Sequence, residues 1–431
     1  MTVSFYTLGC KVNQYETEAV AERFRERGHS VVSFSAPCDA VIINTCAVTE
    51  ESSAKSRRIL RRARRAHPDA IIAAMGCMCQ ISDSPCDIPC ADVVVGCSAK
   101  NEIVDLVEKY ALDHEKKISV CDILSAENFE PMHVRRGDHT RAQIKVEDGC
   151  CNFCSYCIIP YARGPVRSKS IEDAYEEALT LAANGYREIV ITGIHLDSFG
   201  VDRGGCELIS LLRRIDSISG LERIRLGSLE PVFITDDNLD GLIGISKLCP
   251  QFHLSLQSGS ADTLRRMNRH YTPREYAAAV SKLRAAYPDC AVTTDVIVGF
   301  PGESDEEFEE SLDFVRSMSF AKTHVFPFSA RRGTAAFSMS GQIPPYVKKL
   351  RAAQMSQTAA RGEAEFYESM LGRTVDVLFE SSEGGVFYGH SANYAKVAVN
   401  SEADIRNKIL PIYIYKAEAG LCYGRAAGRA K

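Results

Sequence analysis

Gly149-Cys150-Cys151-Asn152-Phe153-Cys154-Ser155-Tyr156-Cys157-Ile158-Ile159-Pro160 is the stretch from which the rest of the chain is read. Cys150, Cys154 and Cys157 follow a C-x3-C-x2-C spacing, which puts three sulfurs on one short loop with little backbone to order around them. Thiolates are soft donors that suit iron-sulfur clusters and zinc. Zinc normally closes its tetrahedron with a second Cys pair or a His at a set spacing, and neither stands nearby. A cubane 4Fe-4S cluster takes four ligands, so a loop that offers three leaves one iron open as a reaction site. Cys151 is treated as a bystander, because adjacent residues of an extended loop point in different directions.

Outward from this loop, between about Thr140 and Phe337, strand and helix signals alternate six times. Apolar runs at 142–146, 188–192, 223–227, 252–256, 292–299 and 324–328 predict strands. Segments 171–184, 208–217, 261–267, 274–286 and 304–318 predict helices. Six such units suggest a partial (β/α)6 barrel in place of the eightfold one. Its site belongs at the carboxyl ends of the strands, where the Cys150 loop begins. The other strand ends add polar turns there: Thr192-Gly193, Ser228 to Pro231 with Glu230, Ser255 to Gly259 with Gln257, Asp295 with Val298-Gly299, and Phe326. Ordinary turn chemistry uses the same residue types. Five turns at one rim make a cofactor bed.

On the amino-terminal side, runs at 3–5, 41–43, 71–74 and 93–95 predict buried strands, and 16–27, 50–66 and 101–110 predict helices. The alternation indicates a parallel α/β sheet domain over residues 1–111. Cys10, Cys46 and Cys77 each follow a strand within a few residues. Ligands of open α/β sheets gather outside the carboxyl ends of the strands, so these three sulfurs predict a second thiolate site. For any one of them a buried turn cysteine is the simpler reading; three at one edge favour the site. Cys79 and Cys97 are rivals, of which Cys77 is preferred to Cys79 because it directly follows Gly76, and Cys97 is read as a spectator.

Residues 55–65 form the most basic run, with Ile59, Leu60 and Ala63 at helical spacing and arginines, among them Arg57 and Arg61, on the remaining faces. Both a solvated helix with its cations toward the carboxyl end and a phosphate-binding face fit this pattern. Residues 112–138 show weak periodicity and read as a linker. The central domain spans 139–370 and ends in a helical stretch. Short alternating runs at 374–379, 386–390, 396–399, 411–415 and 417–424 then predict a small antiparallel β-barrel over 371–431, of a kind that binds RNA through one face. Tyr394 is one of its tyrosines that could stack on a base.

The chain has 431 residues, enough for two or three domains, and its 45% apolar and 25% charged content is that of a globular protein. No run reaches the length of a membrane span and the start lacks a charged, then apolar, leader, so no membrane partner and a cytoplasmic location are expected. Seventeen cysteines in such a chain argue for metal binding over disulfides. The net charge of −5 gives no global support for nucleic acid, which leaves local clusters to carry that case.

The Cys150-x3-Cys154-x2-Cys157 triad resembles the signature of radical S-adenosylmethionine (SAM) enzymes, in which SAM chelates the open iron. Leu8-Gly9-Cys10-Lys11-Val12-Asn13-Gln14-Tyr15-Glu16, Asn44-Thr45-Cys46-Ala47-Val48 and Gly76-Cys77 resemble the amino-terminal domain of the methylthiotransferases, most closely the branch that modifies threonylcarbamoyladenosine in tRNA. Residues 371–431 resemble that family's TRAM domain, so the likeness covers nearly the whole chain. It implies two 4Fe-4S clusters, the auxiliary one on Cys10, Cys46 and Cys77, with SAM giving first a methyl group and then a 5′-deoxyadenosyl radical. It implies that Thr192 and Gly193 meet the methionine amine, that Glu230 and Gln257 lie near the ribose, and that Val298, Gly299 and the backbone at Phe326 carry the adenine. Arg163 and Arg167 are implied near substrate phosphate or the SAM carboxylate. The implied reaction is 2-methylthiolation of N6-threonylcarbamoyladenosine at position 37, beside the tRNA anticodon, with a sulfur source and an electron donor such as flavodoxin or ferredoxin. The alternatives are action on isopentenyladenosine or a ribosomal protein side chain, a non-catalytic iron-sulfur RNA-binding protein, and a zinc protein.

Overall fold

A computed structural model describes residues 1–137, 139–418 and 420–427. The last residue of the expected linker, 138, and residues 419 and 428–431 of the expected third domain lie outside the described residues. In the amino-terminal domain Ala40–Thr45 and Ile71–Gly76 are buried along their whole length, as befits parallel strands covered by helices on both faces. The sheet is parallel throughout, in the order Ser30–Val32, Thr2–Thr7, Ala40–Thr45, Ile71–Gly76, Val93–Val95, Lys117–Ser119. The winding direction reverses between Thr2–Thr7 and Ala40–Thr45, and the crevice of such a sheet opens at that reversal. Cys10 and Cys46 leave from those two strands.

The edge strands Ser30–Val32 and Lys117–Ser119 escaped the sequence pattern because they are short and half polar. Lys117–Ser119 corrects the reading of 112–138 as a plain linker. That segment supplies the sixth strand, and its Met132 and Val134 are buried against Val3 and Tyr15.

The central strands Ala142–Lys145, Glu188–Thr192 and Arg223–Leu226 form one parallel sheet; Ser228–Leu229, Gln251–Leu254, Ala291–Val298 and Lys322–Pro327 form another. Gly227 and a parallel bridge between Ile224 and Leu248 join them into a six-unit partial barrel. All five expected helices are present: Ile171–Ala183, Leu208–Asp216, Ala261–Arg266, Pro273–Ala286 and Asp305–Met318. The last two begin with capping boxes, Thr272 with Glu275 and Ser304 with Glu307, which satisfy otherwise orphaned N–H groups. A sixth helix, Asp236–Ile243, starts at a Thr235 cap and was hidden by its acidic composition.

After the helix Pro345–Glu368, strands Thr374–Glu383, Val386–Ser391, Lys396–Asn400, Leu421–Ala426 and Ile409–Glu418 close, in that spatial order, into a small barrel. Its pairings are antiparallel except for Lys396–Asn400 with Leu421–Ala426. A ring with an odd number of strands cannot alternate direction all the way round, so one parallel pair is forced where the sequence reading had none. This barrel docks on the amino ends of the central strands: Arg223 Nη2 donates to Asp376 O at 2.7 Å, Arg225 Nη1 to Ala392 O at 3.0 Å, and Asn393 Nδ2 to Asp289 O at 3.1 Å.

The amino-terminal helix Lys11–Glu26 packs along Ala142–Lys145, the free edge of the partial barrel. Charge is buried at that seam. Glu16 meets Lys100 at 3.1 Å, Lys145 at 2.8 Å and the Arg163 guanidinium, while Asp148 takes a second bond from Lys145 at 2.6 Å.

Candidate active site

The auxiliary triad is set by backbone before side chains. Gly9 sits at φ +102°, and a Cβ there would lie 3.2 Å from Cys46 Sγ, so glycine is what lets the Cys10 and Cys46 loops close on one another. Gly76, at φ +98°, likewise turns Ile71–Gly76 into the short helix Cys77–Gln80. Burial raises the Cys10 and Cys46 thiols, and the Arg163 guanidinium opposes that rise at both. Cys77 behaves oppositely: a hydrogen bond from Cys97 and the charge of Arg163 hold it down, at about 6. A positive group beside three sulfurs favours the thiolate form that metal binding requires. Cys79 bonds Thr45 Oγ1 at 3.8 Å inside the core, and burial pushes its thiol up to about 12. Cys97 is buried against Cys77, which makes it a neighbour of the triad and more than a distant spectator.

The second triad hangs on Gly149, at φ +92°, where a Cβ would fall 1.9 Å from Pro165 O. Gly149→Ala therefore has to displace the cysteine loop, at a cost on the order of 1–3 kcal/mol for the strained backbone alone. Iron assays on the purified variant are expected to show about half the wild-type iron, with the amino-terminal cluster retained. Within the loop, Cys154 Sγ accepts from Arg269 Nη1 at 3.3 Å and Cys157 Sγ from Ile159 N–H at 3.4 Å. Burial and the neighbouring sulfurs raise Cys150, and burial takes Cys157 up to about 12.

Around this loop Asn152 Nδ2 donates to Glu230 Oε1 at 3.0 Å, and Arg269 pairs with the same oxygen at 2.8 Å. Glu147 Oε2 accepts from His195 N–H at 2.7 Å and lies 2.6 Å from where a Cβ of Gly193 would be. Its Oε1 is buried and, among the described residues, has no partner, while burial raises its carboxyl well above the usual range. The sequence reading missed Glu147, Asn152, His195 and Arg269. The first two lie close to the cysteines in sequence, a signal that was available; His195 follows the strand Glu188–Thr192 and Arg269 lies in the turn between Ala261–Arg266 and Pro273–Ala286.

A cavity of about 830 Å³ has Cys10 and Lys11 on one wall, Thr192, Gly193, Ser228, Asp295 and Phe326 on the barrel side, and His390 and Tyr394 of the small barrel at the far end. A second hollow of about 580 Å³ is lined by Met78, beside Cys77, and by Ile158, beside Cys157. The helices Cys77–Gln80 and Ile159–Arg163 also touch. Among the described residues no three His, Cys, Asp or Glu side chains are gathered as for a single metal ion. A four-iron cubane, however, takes each thiolate on a separate iron and holds them wider apart.

Val298 is buried and its carbonyl accepts from Phe328 N–H at 2.8 Å, Gly299 N–H is taken by Glu303 Oε1 at 2.8 Å, and Phe326 is 47% exposed on the cavity. Gln257, at φ +66°, bridges strands by its backbone, donating to Asp295 O at 2.9 Å and accepting from Ile297 N–H at 2.8 Å.

Four further expectations need correction or refinement. Arg163 is fully buried between Glu16, Asp148 and Asn13, and Arg167 donates to Arg163 O at 2.8 Å, so neither reaches substrate phosphate or a SAM carboxylate. Tyr394 stands at the cavity, but its ring is stacked on His390 at 4.5 Å and covered by Arg225 at 4.6 Å, which leaves no face for a base. Arg57 lines the second hollow and pairs with Glu50 at 3.0 Å. Arg61 is exposed on the same helix, Glu50–Ala66.

A cysteine triad at the carboxyl rim of a six-unit partial barrel, with a second triad on an adjoining parallel sheet, is the build of a radical SAM protein with an auxiliary cluster. The Radical SAM superfamily profile matches residues 144–315, and that of Uncharacterized protein family UPF0004 matches residues 2–96. The chain is 39% identical to the "Threonylcarbamoyladenosine tRNA methylthiotransferase MtaB" of Bacillus subtilis (strain 168), across 96% of this chain and 94% of that one. It is 37% identical to the protein of the same description from Aquifex aeolicus (strain VF5), across 88% and 92%. It is 33% identical to the "tRNA-2-methylthio-N(6)-dimethylallyladenosine synthase" of Acetivibrio thermocellus, across 95% and 87%. Among solved structures the radical SAM methyltransferase TsrM from Kitasatospora setae aligns with a TM-score of 0.58 at 12% identity, covering 90% of this chain and 77% of that one, a likeness of fold alone. The chain belongs to the radical SAM tRNA methylthiotransferase family.

Proposed function

We propose that the protein 2-methylthiolates N6-threonylcarbamoyladenosine at position 37 of tRNA, with two 4Fe-4S clusters and SAM. The observation that carries the reading is that Cys10 opens onto the same 830 Å³ cavity as Thr192, Gly193 and Ser228, rim turns of the barrel that bears the other triad, which supports presentation of one nucleoside to both. Relatives named for the threonylcarbamoyl substrate match at higher identity than the dimethylallyl one, which supports this choice over isopentenyladenosine.

When bound, the clusters and SAM supply reductive cleavage of SAM and the sulfur that is transferred. The chain's own residues supply position. Cys150, Cys154 and Cys157 would hold the barrel cluster, and Cys10, Cys46 and Cys77 the auxiliary one. Glu147 Oε1, buried without a partner below Thr192-Gly193, offers an acceptor to a ligand ammonium group such as that of methionine. Arg269 fixes Cys154 and Glu230 together, and Asn152 ties the cysteine loop to the same carboxylate. A target base must leave its stack to enter, and the 830 Å³ cavity has room for it. The electron donor, of flavodoxin or ferredoxin type, and the sulfur source belong to the same proposal. Among the described residues no helix is long and apolar enough to cross a membrane.

Nucleoside mass spectrometry of tRNA from cells lacking the protein tests the substrate. The 2-methylthio mark on threonylcarbamoyladenosine is expected to vanish and its precursor to accumulate; an undiminished mark would overturn the assignment. Release of 5′-deoxyadenosine by the reduced protein separates the enzyme from a non-catalytic binder.

A further inference from the structure

We propose that Lys11 reads the carboxylate of the substrate's threonylcarbamoyl group and so sets nucleoside specificity. The inference rests on the substrate reading above and adds the residue that enforces it. Lys11 directly follows Cys10 and faces the 830 Å³ cavity opposite Thr192, Gly193 and Ser228. Its side chain is exposed to that cavity.

Most of the other polar charges of that cavity have partners. Lys322 meets Glu363 at 2.7 Å, His390 meets Glu380 at 2.6 Å, and His253 lies 3.5 Å from Asp295. Lys396 rests its ammonium over the Tyr388 ring at 5.4 Å. Among the described residues Lys11 makes no ion pair within 4.0 Å, and Arg141, Arg225 and the Glu188 carboxylate act on it only from farther off. An exposed ammonium that no carboxylate has claimed is free to take a charge-assisted bond from an anionic ligand.

The threonylcarbamoyl substituent carries threonine's free carboxylate, whereas a dimethylallyl substituent is neutral. In adenine, C2 and the carbon bearing N6 are both bonded to N1. A base that presents C2 toward Cys10 therefore carries its N6 substituent on the side where the next residue, Lys11, stands. The same ammonium penalises an apolar substituent, which would leave it unpaired, so one side chain selects for one nucleoside and against the other.

The test uses anticodon stem-loop RNAs bearing threonylcarbamoyladenosine, its threonyl methyl ester, or plain adenosine. Binding to the purified full-length protein is read by fluorescence anisotropy, and methylthiolation by mass spectrometry. Wild type is expected to bind the acid about tenfold or more tighter than the ester. Lys11→Met is expected to bind acid and ester alike, at the ester's level, and to raise KM with little change in kcat at unaltered iron content. Lys11→Arg is expected to keep part of the preference. Equal wild-type binding of acid and ester, or an undiminished preference in Lys11→Met, would overturn the role of Lys11 while leaving the substrate reading intact. No wild-type turnover of the threonylcarbamoyl RNA would overturn both.

Discussion

Cys154→Ala protein is expected to release no 5′-deoxyadenosine above background under reducing conditions, whereas Cys10→Ala protein still releases it and makes no methylthio nucleoside. Cys154 is buried and its sulfur is fixed by Arg269, so on the proposed assignment its loss removes one of three ligands from the loop. Cys10 caps the helix Lys11–Glu26 on a different domain, beside Cys46, and its loss leaves the Cys150 loop untouched. Each variant should retain about half the iron, because each triad folds around its own cluster. Loss of 5′-deoxyadenosine release in both variants would mean that the two triads do not function as separate sites.

The second large effect is expected from Arg163→Met. The guanidinium is fully buried and bonds Glu16, Asp148 and Asn13, so removing it breaks the network from one side and leaves Lys100 and Lys145 to hold both buried carboxylates. Breaking a buried ionic network from one side costs ~3–5 kcal/mol, and guanidinium denaturation should show a loss of that order. The same change withdraws the positive charge that favours thiolates at Cys10, Cys46 and Cys77, so auxiliary-cluster iron should fall as well. Adding Glu16→Gln removes one carboxylate but also the partner of buried Lys100 and Lys145, so stability should not recover. Nor should the iron recover, because the field at the sulfurs is still gone. Recovery of both together would reduce Arg163 to a packing role.

The barrel strands were legible because each is a short apolar run ended by a polar turn, and both triads because sulfur spacing is local. What the sequence concealed was partnership. Arg163 and Arg167 follow the cysteine loop around Gly164 and Pro165, which looks like an exposed phosphate-binding turn. The acid that claims Arg163 lies 147 residues away, on another domain, and nothing local announces it. Tyr394 failed for the same reason: its surface pattern was right, but the arginine that covers it belongs to the central barrel. Lys11 was quoted only as part of a likeness, since an unpaired charge becomes visible only when every neighbour is accounted for.

The ionic seam between Lys11–Glu26 and Ala142–Lys145 bears on motion. Hinging the first domain away from the second would bare Glu16, Lys100, Lys145, Asp148 and Arg163 at once and undo their mutual neutralisation. The separation between the two inorganic centres is thus fixed like the gap of a jig. Whatever travels between them during a catalytic cycle must be the small molecules and the nucleoside, with the protein standing still.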